Sequence, residues 1–160
     1  MEPSSATGLV HLHVHSHYTL LGGAASVTEL AEQAAVDGMS HLALTDANTL
    51  YGAVAFSRAC RVSGVQPVLG MTVPLAMPFP SAGSEELPGC LVLLATGPEG
   101  YRSLCRLSSA ILAGSERERL AAQGAPFELL RQHREGLICL SGGRRGWLMR
   151  FLVHGDTATA

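Results

Sequence analysis

The sequence predicts an α/β fold in which strands and helices alternate and build a parallel sheet or barrel. Short apolar runs alternate with longer stretches of helical character, and the connections between them are short. The apolar runs show no regular polar alternation, which is typical of strands covered on both faces. At 160 residues, with 47% hydrophobic and 15% charged residues, the chain is long enough for one domain with a sizeable core.

The first half of the chain contains three predicted strands and two predicted helices, after a disordered lead-in at residues 1–8. Ser26 and Glu29 have the spacing of a capping box, so we expect a helix to begin there and to end at Gly38. Gly64 is expected to end the second helix. In chain order the predicted elements are a strand at Leu9–His15, a helix to about Asp37, a strand at His41–Thr45, a helix at Tyr51–Ser63 and a strand at Gln66–Gly70.

A proline-rich loop at residues 74–89 precedes the second half of the chain. Pro98 and Pro126 each stand where the first turn of a helix is expected. The further predicted elements are a buried strand at Cys90–Ala95, a helix to about Ala113, a polar helical stretch at 114–125, a helix to about Arg134, a strand within Gly136–Ser141 and a helix at Arg145–Val153. Residues 157–160 are expected to form a tail, so the predicted domain spans 9–156.

The charge balance and the cysteines narrow the class of protein. The net charge is −2, with no overall basic excess that would indicate nucleic-acid binding. No apolar run reaches the roughly 18 residues of a membrane helix, and the polar N-terminus is not a signal peptide. The absence of a C-x-x-C pair indicates a reducing, cytoplasmic compartment, with four small core cysteines at Cys60, Cys90, Cys105 and Cys139.

Four histidines alternate with other residues in the stretch V-H-L-H-V-H-S-H-Y, at His11, His13, His15 and His17. Side chains of a strand alternate between its two faces, so all four are expected to point to one side. Imidazole is the commonest protein metal ligand. In β/α barrels, chemistry gathers at the C-terminal ends of the strands, where His13, His15 and Asp46 are expected to fall. The pattern indicates a metal site, provided that other positions supply further ligands.

Five motifs occur in an order and spacing that resemble one known family: HLHVHS-x-Y-T-L-L-x-G-A-A, ALTDANTLYGAVAF, QPVLG, LVLLATGPEGYRSLCRL and GLICLSGG-R-x-G. Together they resemble the PHP (polymerase and histidinol phosphatase) domain at the N-terminus of bacterial C-family DNA polymerases. The resemblance implies a distorted (β/α)7 barrel, of which this chain holds the N-terminal part, about five βα units. Active members carry a multi-metal cluster at the C-terminal rim of the barrel.

The resemblance places the family's H-x-H ligands on His13 and His15. Other positions at which the family carries metal ligands hold residues that cannot replace them here, since Gly, Ala and Thr side chains neither neutralise metal charge nor set its geometry. These positions are Gly22, Ala47, Thr72, Cys90 (or Gly89, if the register slips) and Gly143. A lone Cys90 thiolate does not rebuild a multi-metal site. Phosphoesterase chemistry needs metals that generate hydroxide and hold the phosphate, so we expect that activity to be lost.

Alternatives stay open for individual residues of the site. His13 and His15 are either the relic of a metal site or a retained site for Zn²⁺ or Mn²⁺, and the missing ligands favour the relic. Asp46 is either an acid that orients one of these histidines from behind, without binding the metal itself, or a cap for the following helix. We expect His11 to be a core histidine with its hydrogen bonds satisfied, and His17 to be a solvated loop residue.

Two basic motifs have both a functional and a structural interpretation. The turn Gly142–Gly146 (GGRRG) resembles a phosphate cradle with Arg144 and Arg145 nearby, but it lacks the end of a P-loop, and a simple strand-to-helix turn is favoured. Arg102 and Arg106 are spaced for one helix face, where solvation is favoured over phosphate contact. No catalytic nucleophile or cofactor-binding residue can be assigned, and G-x-S-x-G is absent.

The resemblance implies that this chain is the PHP-domain portion of a DNA polymerase III alpha-type subunit, either replicative or error-prone. The parent enzyme would use Mg²⁺ and deoxynucleotides, and this segment would act as a scaffold and docking module. The implied partners are the rest of the polymerase chain, DNA bound by the parent, a proofreading exonuclease subunit and the sliding clamp, with no membrane. The alternatives are a free-standing metal-dependent phosphoesterase related to histidinol phosphatase, and a non-enzymatic pseudo-PHP interaction module.

Overall fold

The computed structural model describes residues 8–76 and 88–153. Most of the predicted lead-in, the centre of the predicted proline-rich loop and the predicted tail lie outside the described residues. In chain order the elements are α1 (Val27–Val36), β1 (His41–Leu44), α2 (Ala53–Ser63), β2 (Gln66–Leu75), β3 (Gly89–Ala95), α3 (Pro98–Leu112), α4 (Arg117–Gln123), α5 (Phe127–Gln132), β4 (Leu137–Leu140), a 3-10 turn (Gly143–Arg145) and α6 (Trp147–Val153). The strand order is β1-β2-β3-β4.

The chain divides into two compact units, residues 1–71 and 72–160, and β2 crosses the boundary between them. In the first unit β1 pairs in parallel with β2, as the sequence predicts, and α1 packs against α2. The buried core of this unit includes Val27, Ala31, Leu42, Leu44, Phe56 and Cys60. Burial of these apolar side chains provides the main stabilisation of the unit.

Local sequence signals set the ends of both helices in the first unit. The Ser26 hydroxyl accepts a hydrogen bond from the Glu29 amide at 3.2 Å, and the Ser26 amide donates to Glu29 Oε2 at 2.7 Å. The predicted capping box at the start of α1 is therefore confirmed. The same backbone donor stabilises the carboxylate and lowers the pKa of Glu29. Gly64 ends α2 with a φ of 75°, a left-handed conformation that favours glycine.

In the second unit β3 pairs with β4, and α3 packs on β3. The pairing is antiparallel, with Val92 opposite Leu140 and Ala95 opposite Leu137. The expectation that these predicted strands are parallel is thus wrong, because strand direction depends on long-range pairing that local periodicity does not encode. Two hydrogen bonds fix the residues just before β4. The Thr96 hydroxyl donates to the Gly136 carbonyl and the Ser103 hydroxyl donates to the Glu135 carbonyl, each at 2.9 Å.

Leu9–His15 does not form a regular strand, which corrects the prediction of a first strand there. It makes one isolated parallel bridge, between His11 and Leu42. The segment nevertheless runs beside β1, since the His11 carbonyl accepts from Ala43 at 2.9 Å and the Val14 carbonyl accepts from Thr45 at 2.8 Å. With a partner on one side only among the described residues, it keeps an extended path without a full ladder of hydrogen bonds.

The four cysteines differ in how deeply they are buried, and so do the strands β3 and β4. Cys60 and Cys90 are buried as predicted, and burial raises the pKa of the Cys60 thiol to about 11. Cys105 is half-buried and Cys139 is exposed, so the expectation of four core cysteines is wrong for Cys139. It lies on β4, whose residues are half-buried or exposed, whereas most residues of β3 are buried. The strand β4 is therefore not covered on both faces by the described residues.

Candidate functional site

The extended segment beside β1 brings His13 and His15 together at its end. The Nε2 atoms of the two imidazoles are 3.1 Å apart, and the rings meet edge to face. Two imidazole nitrogens bound to one zinc ion at about 2.0–2.1 Å would be separated by about 3.3 Å. The separation therefore suits both a hydrogen bond between the two rings and a two-nitrogen chelate. Whether the pair can hold a metal ion depends on the further ligands that neighbouring residues supply.

Asp46, directly beyond the end of β1, is the buried acid of this region. It is 1% exposed and accepts three hydrogen bonds of 2.7 Å, from the Ser16 amide, the Ser16 hydroxyl and the Thr19 hydroxyl. The Thr19 oxygen in turn accepts from the Ala47 amide at 3.1 Å. The Asp46 carboxylate thus fixes the turn that follows His15. Its role toward the histidines stays a prediction.

Sequence reasoning missed Ser16 and Thr19 as partners of Asp46. Ser16 is fully buried and Thr19 is 7% exposed, although both are polar. The nearest sequence signal is a serine and a threonine three residues apart at the end of the histidine row, but the acid lies about thirty positions further along. Hydroxyl residues in such a turn are common for local reasons, so the sequence alone does not single them out.

Gly22 faces the histidine pair. A β carbon at this position would lie 3.5 Å from His15 Nδ1 and 2.6 Å from the Thr19 methyl carbon. The family resemblance places an aspartate ligand here, and the geometry shows that a side chain at position 22 would extend beside His15. Glycine itself supplies no carboxylate at this position.

The outer two histidines of the row do not join the pair through any described contact. His11 is exposed, so its expected place in the core is wrong, because only its backbone carbonyl engages β1. His17 is an exposed turn residue, as predicted, and its Nδ1 lies 3.4 Å from the Ala25 carbonyl. The alternation of a strand ends at this turn, so the expectation of four histidines on one face is not met.

The other positions implied by the resemblance add no ligand. Ala47 and Gly143 carry no donor atom, Thr72 is a buried neutral hydroxyl, and Cys90 is a buried thiol on β3. Within residues 8–76 and 88–153, no three His, Cys, Asp or Glu side chains are grouped so that they could hold a metal ion. The described residues do not fit the multi-metal cluster of active family members.

The two basic motifs also occupy defined positions. The glycine-rich turn between β4 and α6 contains Gly142 and Gly143, with φ values of 75° and 57°. A β carbon at Gly142 would overlap the Cys90 carbonyl, so the close approach of this turn to β3 requires glycine. Arg102 pairs with Glu99 on the exposed face of α3, in agreement with the solvated interpretation.

Residues 11–160 match the PHP domain family. The chain belongs to the PHP domain family. Among curated relatives, this PHP domain is 39% identical over 166 residues to the error-prone DNA polymerase of Symbiobacterium thermophilum. The match covers 94% of this chain and 14% of that protein. It is 37% identical over 146 residues to the DNA polymerase III subunit alpha of Bacillus subtilis, covering 91% of this chain and 12% of that protein. The PHP domain thus spans about an eighth of the length of these relatives.

Solved structures agree with the family assignment at the level of fold. An amidohydrolase from Chromobacterium violaceum with bound sulfate and no metal superimposes with a TM-score of 0.60 at 15% identity, covering 94% of this chain and 74% of that chain. A candidate metal-dependent phosphoesterase from Bifidobacterium adolescentis superimposes with a TM-score of 0.51 at 19% identity, covering 72% of this chain and 40% of that chain. The fold is that of a partial PHP-type distorted barrel, as predicted.

We expect the purified chain to hold less than one zinc or manganese ion per molecule and to hydrolyse neither phosphomonoesters nor DNA. The physical reason is that two imidazoles alone neither neutralise nor enclose a divalent cation. Plasma mass spectrometry of the chain after dialysis measures the metal content. Two or more tightly held metals would contradict the prediction.

In the control variant His13→Asn/His15→Asn, we expect the melting temperature to change little, with or without zinc.

We expect the double variant Gly22→Asp/Thr19→Ser to bind zinc at least about tenfold more tightly than the unmodified chain, because a carboxylate beside His15 Nδ1 would accept its proton, orient the ring and make Nε2 a more basic ligand. Thr19→Ser removes only the methyl group that the new side chain would meet and keeps the hydroxyl that donates to Asp46. Isothermal titration with Zn²⁺ measures the gain, and Thr19→Ser alone is the matched control. Equal affinity in the double variant and the control would show that position 22 does not face the ligand pair.

Proposed function

We propose that this chain is the PHP portion, at the N-terminus, of a bacterial DNA polymerase III alpha-type enzyme, either replicative or error-prone. The observation that carries the proposal is identity of 37–39% over more than nine-tenths of the chain to both kinds of polymerase. An error-prone DNA polymerase of Mycobacterium tuberculosis is also 38% identical over 98% of the chain. The parent reaction is template-directed nucleotidyl transfer with Mg²⁺ and deoxynucleotides.

Within that enzyme the PHP segment serves as a scaffold and docking surface and has no phosphoesterase activity of its own. Support comes from the donor set, since His13 and His15 converge while Gly22 and Ala47 offer no ligand. The Asp46 network fixes the turn that follows His15 through hydrogen bonds within the chain. The segment therefore keeps the shape of the site without its chemistry.

The same proposal specifies the binding partners of the protein and its cellular location. The rest of the polymerase polypeptide is the primary partner, and DNA, a proofreading exonuclease subunit and the sliding clamp are partners of the whole enzyme. No helix within residues 8–76 and 88–153 combines the length and the hydrophobicity needed to cross a bilayer. A cytoplasmic location is part of the proposal because DNA synthesis takes place there.

Primer extension by the full-length parent protein tests the proposal. With Mg²⁺ and all four deoxynucleotides, we expect the parent to extend a primed template, and to release no phosphate from histidinol phosphate. The length of the parent gene provides an independent check, since a polymerase is several times longer than one β/α barrel of about 250 residues. A parent of single-barrel length with phosphatase activity would replace the proposal by the free-standing phosphoesterase alternative.

A further inference from the structure

The basic residues of this chain are unevenly distributed. All eleven are arginines, and nine of them lie in residues 88–153, where only five carboxylates occur. Residues 8–71 show the opposite balance, with two arginines and four carboxylates. Four further carboxylates, Glu2, Glu85, Glu86 and Asp156, lie in segments outside the described residues. Charge asymmetry within a chain is a feature of proteins that contact polyanions, although the net charge of −2 conceals it.

Local pairing leaves several of these arginines available. Exposed ion pairs join Arg102 to Glu99, Arg119 to Glu116 and Arg131 to Glu128, each within one helical turn. Five other arginines are exposed, and their side chains make no ion pair or hydrogen bond with any described residue, namely Arg106, Arg117, Arg134, Arg144 and Arg145. Screening confines exposed charges to a range of about 8–10 Å at ordinary salt, so these guanidinium groups act locally rather than through the net charge.

Two concave surfaces of the second unit are each lined by a pair of arginines. The first has a volume of about 400 Å³, and Arg131 and Arg134 line it together with apolar residues of β3, β4 and α5. The second has a volume of about 520 Å³ and is lined by Arg144 and Arg150, with Met149 and Val153. Guanidinium groups bind phosphate oxygens bidentately, which an ammonium group does not do. Paired arginines in a cavity are therefore suited to a phosphodiester.

We propose that these two arginine-lined cavities form a contact surface for the phosphodiester backbone of DNA. The repetition of paired arginines on two concave surfaces matches a repeating polyanion better than a single free phosphate ion. No acidic residue lines either cavity among the described residues, and Phe127 is the only aromatic ring there. Contact is thus to the backbone, without base recognition. The proposal deepens the proposed function, on which it rests for the identity of the polyanion.

The salt dependence of binding tests the surface. A fluorescein-labelled oligo(dT) of about 16 nucleotides is titrated with the 160-residue chain at submicromolar concentration, and fluorescence anisotropy gives the Kd. With Arg134 and Arg144 as two contacts to a single strand, log K is expected to fall with log salt at a slope of about −1.4, or about sevenfold between 50 and 200 mM. The variant Arg134→Gln/Arg144→Gln, which changes one arginine in each cavity, should make the slope shallower by about 1.4.

The matched control is Arg106→Gln/Arg117→Gln, which removes the same charge from exposed arginines that line neither cavity. We expect this control to keep the slope of the unmodified chain, and circular dichroism verifies that all variants fold alike. Equal losses in the two double variants, or no binding at about 50 mM salt, would overturn the inference. Full displacement of the oligonucleotide by inorganic phosphate at constant ionic strength would also overturn it, in favour of a single-anion site. Primer extension by the parent is measured separately, so failure here leaves the proposed function standing.

Discussion

We expect the 160-residue chain, expressed by itself, to self-associate and to bind an apolar dye. The reason lies in β4, the last strand in the sheet order, which pairs with β3 on one side and with no other strand among the described residues. Ile138, in the middle of β4, is 52% exposed. An unpaired strand edge with an apolar side chain is a template for association with another chain. The Leu9–His15 segment has an open side of the same kind.

Size-exclusion chromatography with light scattering and thermal melts measure this association. Ile138→Lys places a charge on the open edge and should shift the chain toward monomer by severalfold, since lysine on edge strands opposes pairing. Val62→Lys is the matched control, because Val62 is 89% exposed but lies on α2 rather than on a strand. Extending the chain to the barrel length of about 250 residues should give a monomer that unfolds cooperatively. A sharply melting monomer of the unmodified 160-residue chain would refute the prediction.

Elements with local signals could be predicted from the sequence. The capping box at Ser26 and the left-handed Gly64 set the ends of α1 and α2, and each acts within one turn of the chain. The strand β3 could be predicted because six consecutive apolar or small residues between a proline-rich loop and a helix start leave few alternatives. In each case the decisive interactions lie close together in sequence.

Features that depend on distant partners could not be predicted in the same way. The extended segment at Leu9–His15 has the pattern of a strand, but a strand also needs partners, and its described backbone hydrogen bonds go only to Ala43 of β1 and to Thr45, which follows β1. The antiparallel direction of β4 and the exposure of His11 depend likewise on what lies beside them. At the site, the motif resemblance indicated His13 and His15, whereas the hydroxyls that hold Asp46 emerge only when residues about thirty positions apart meet.

We expect Asp46→Ala to lower the free energy of unfolding by about 3–5 kcal/mol, among the largest effects of any single substitution in this chain. The carboxylate is buried and accepts three hydrogen bonds of 2.7 Å, two from Ser16 and one from Thr19. Alanine would leave buried donors unsatisfied, at about 1–3 kcal/mol for each group. Urea denaturation of the monomeric chain extended to barrel length measures the loss.

Two comparisons show whether the loss comes from this network. Asp46→Asn keeps one carbonyl oxygen for the Ser16 amide and the Thr19 hydroxyl, and its amide group can donate to the Ser16 hydroxyl. It should therefore cost about half as much as alanine. Asp37→Ala removes an exposed carboxylate from the end of α1 and should cost less than about 1 kcal/mol. Hydrogen exchange at the Ser16 amide gives a second readout, because that proton is protected only while Asp46 accepts it. If Asp46→Ala were as mild as Asp37→Ala and exchange at Ser16 stayed slow, the buried network would not be what holds the turn beside His15.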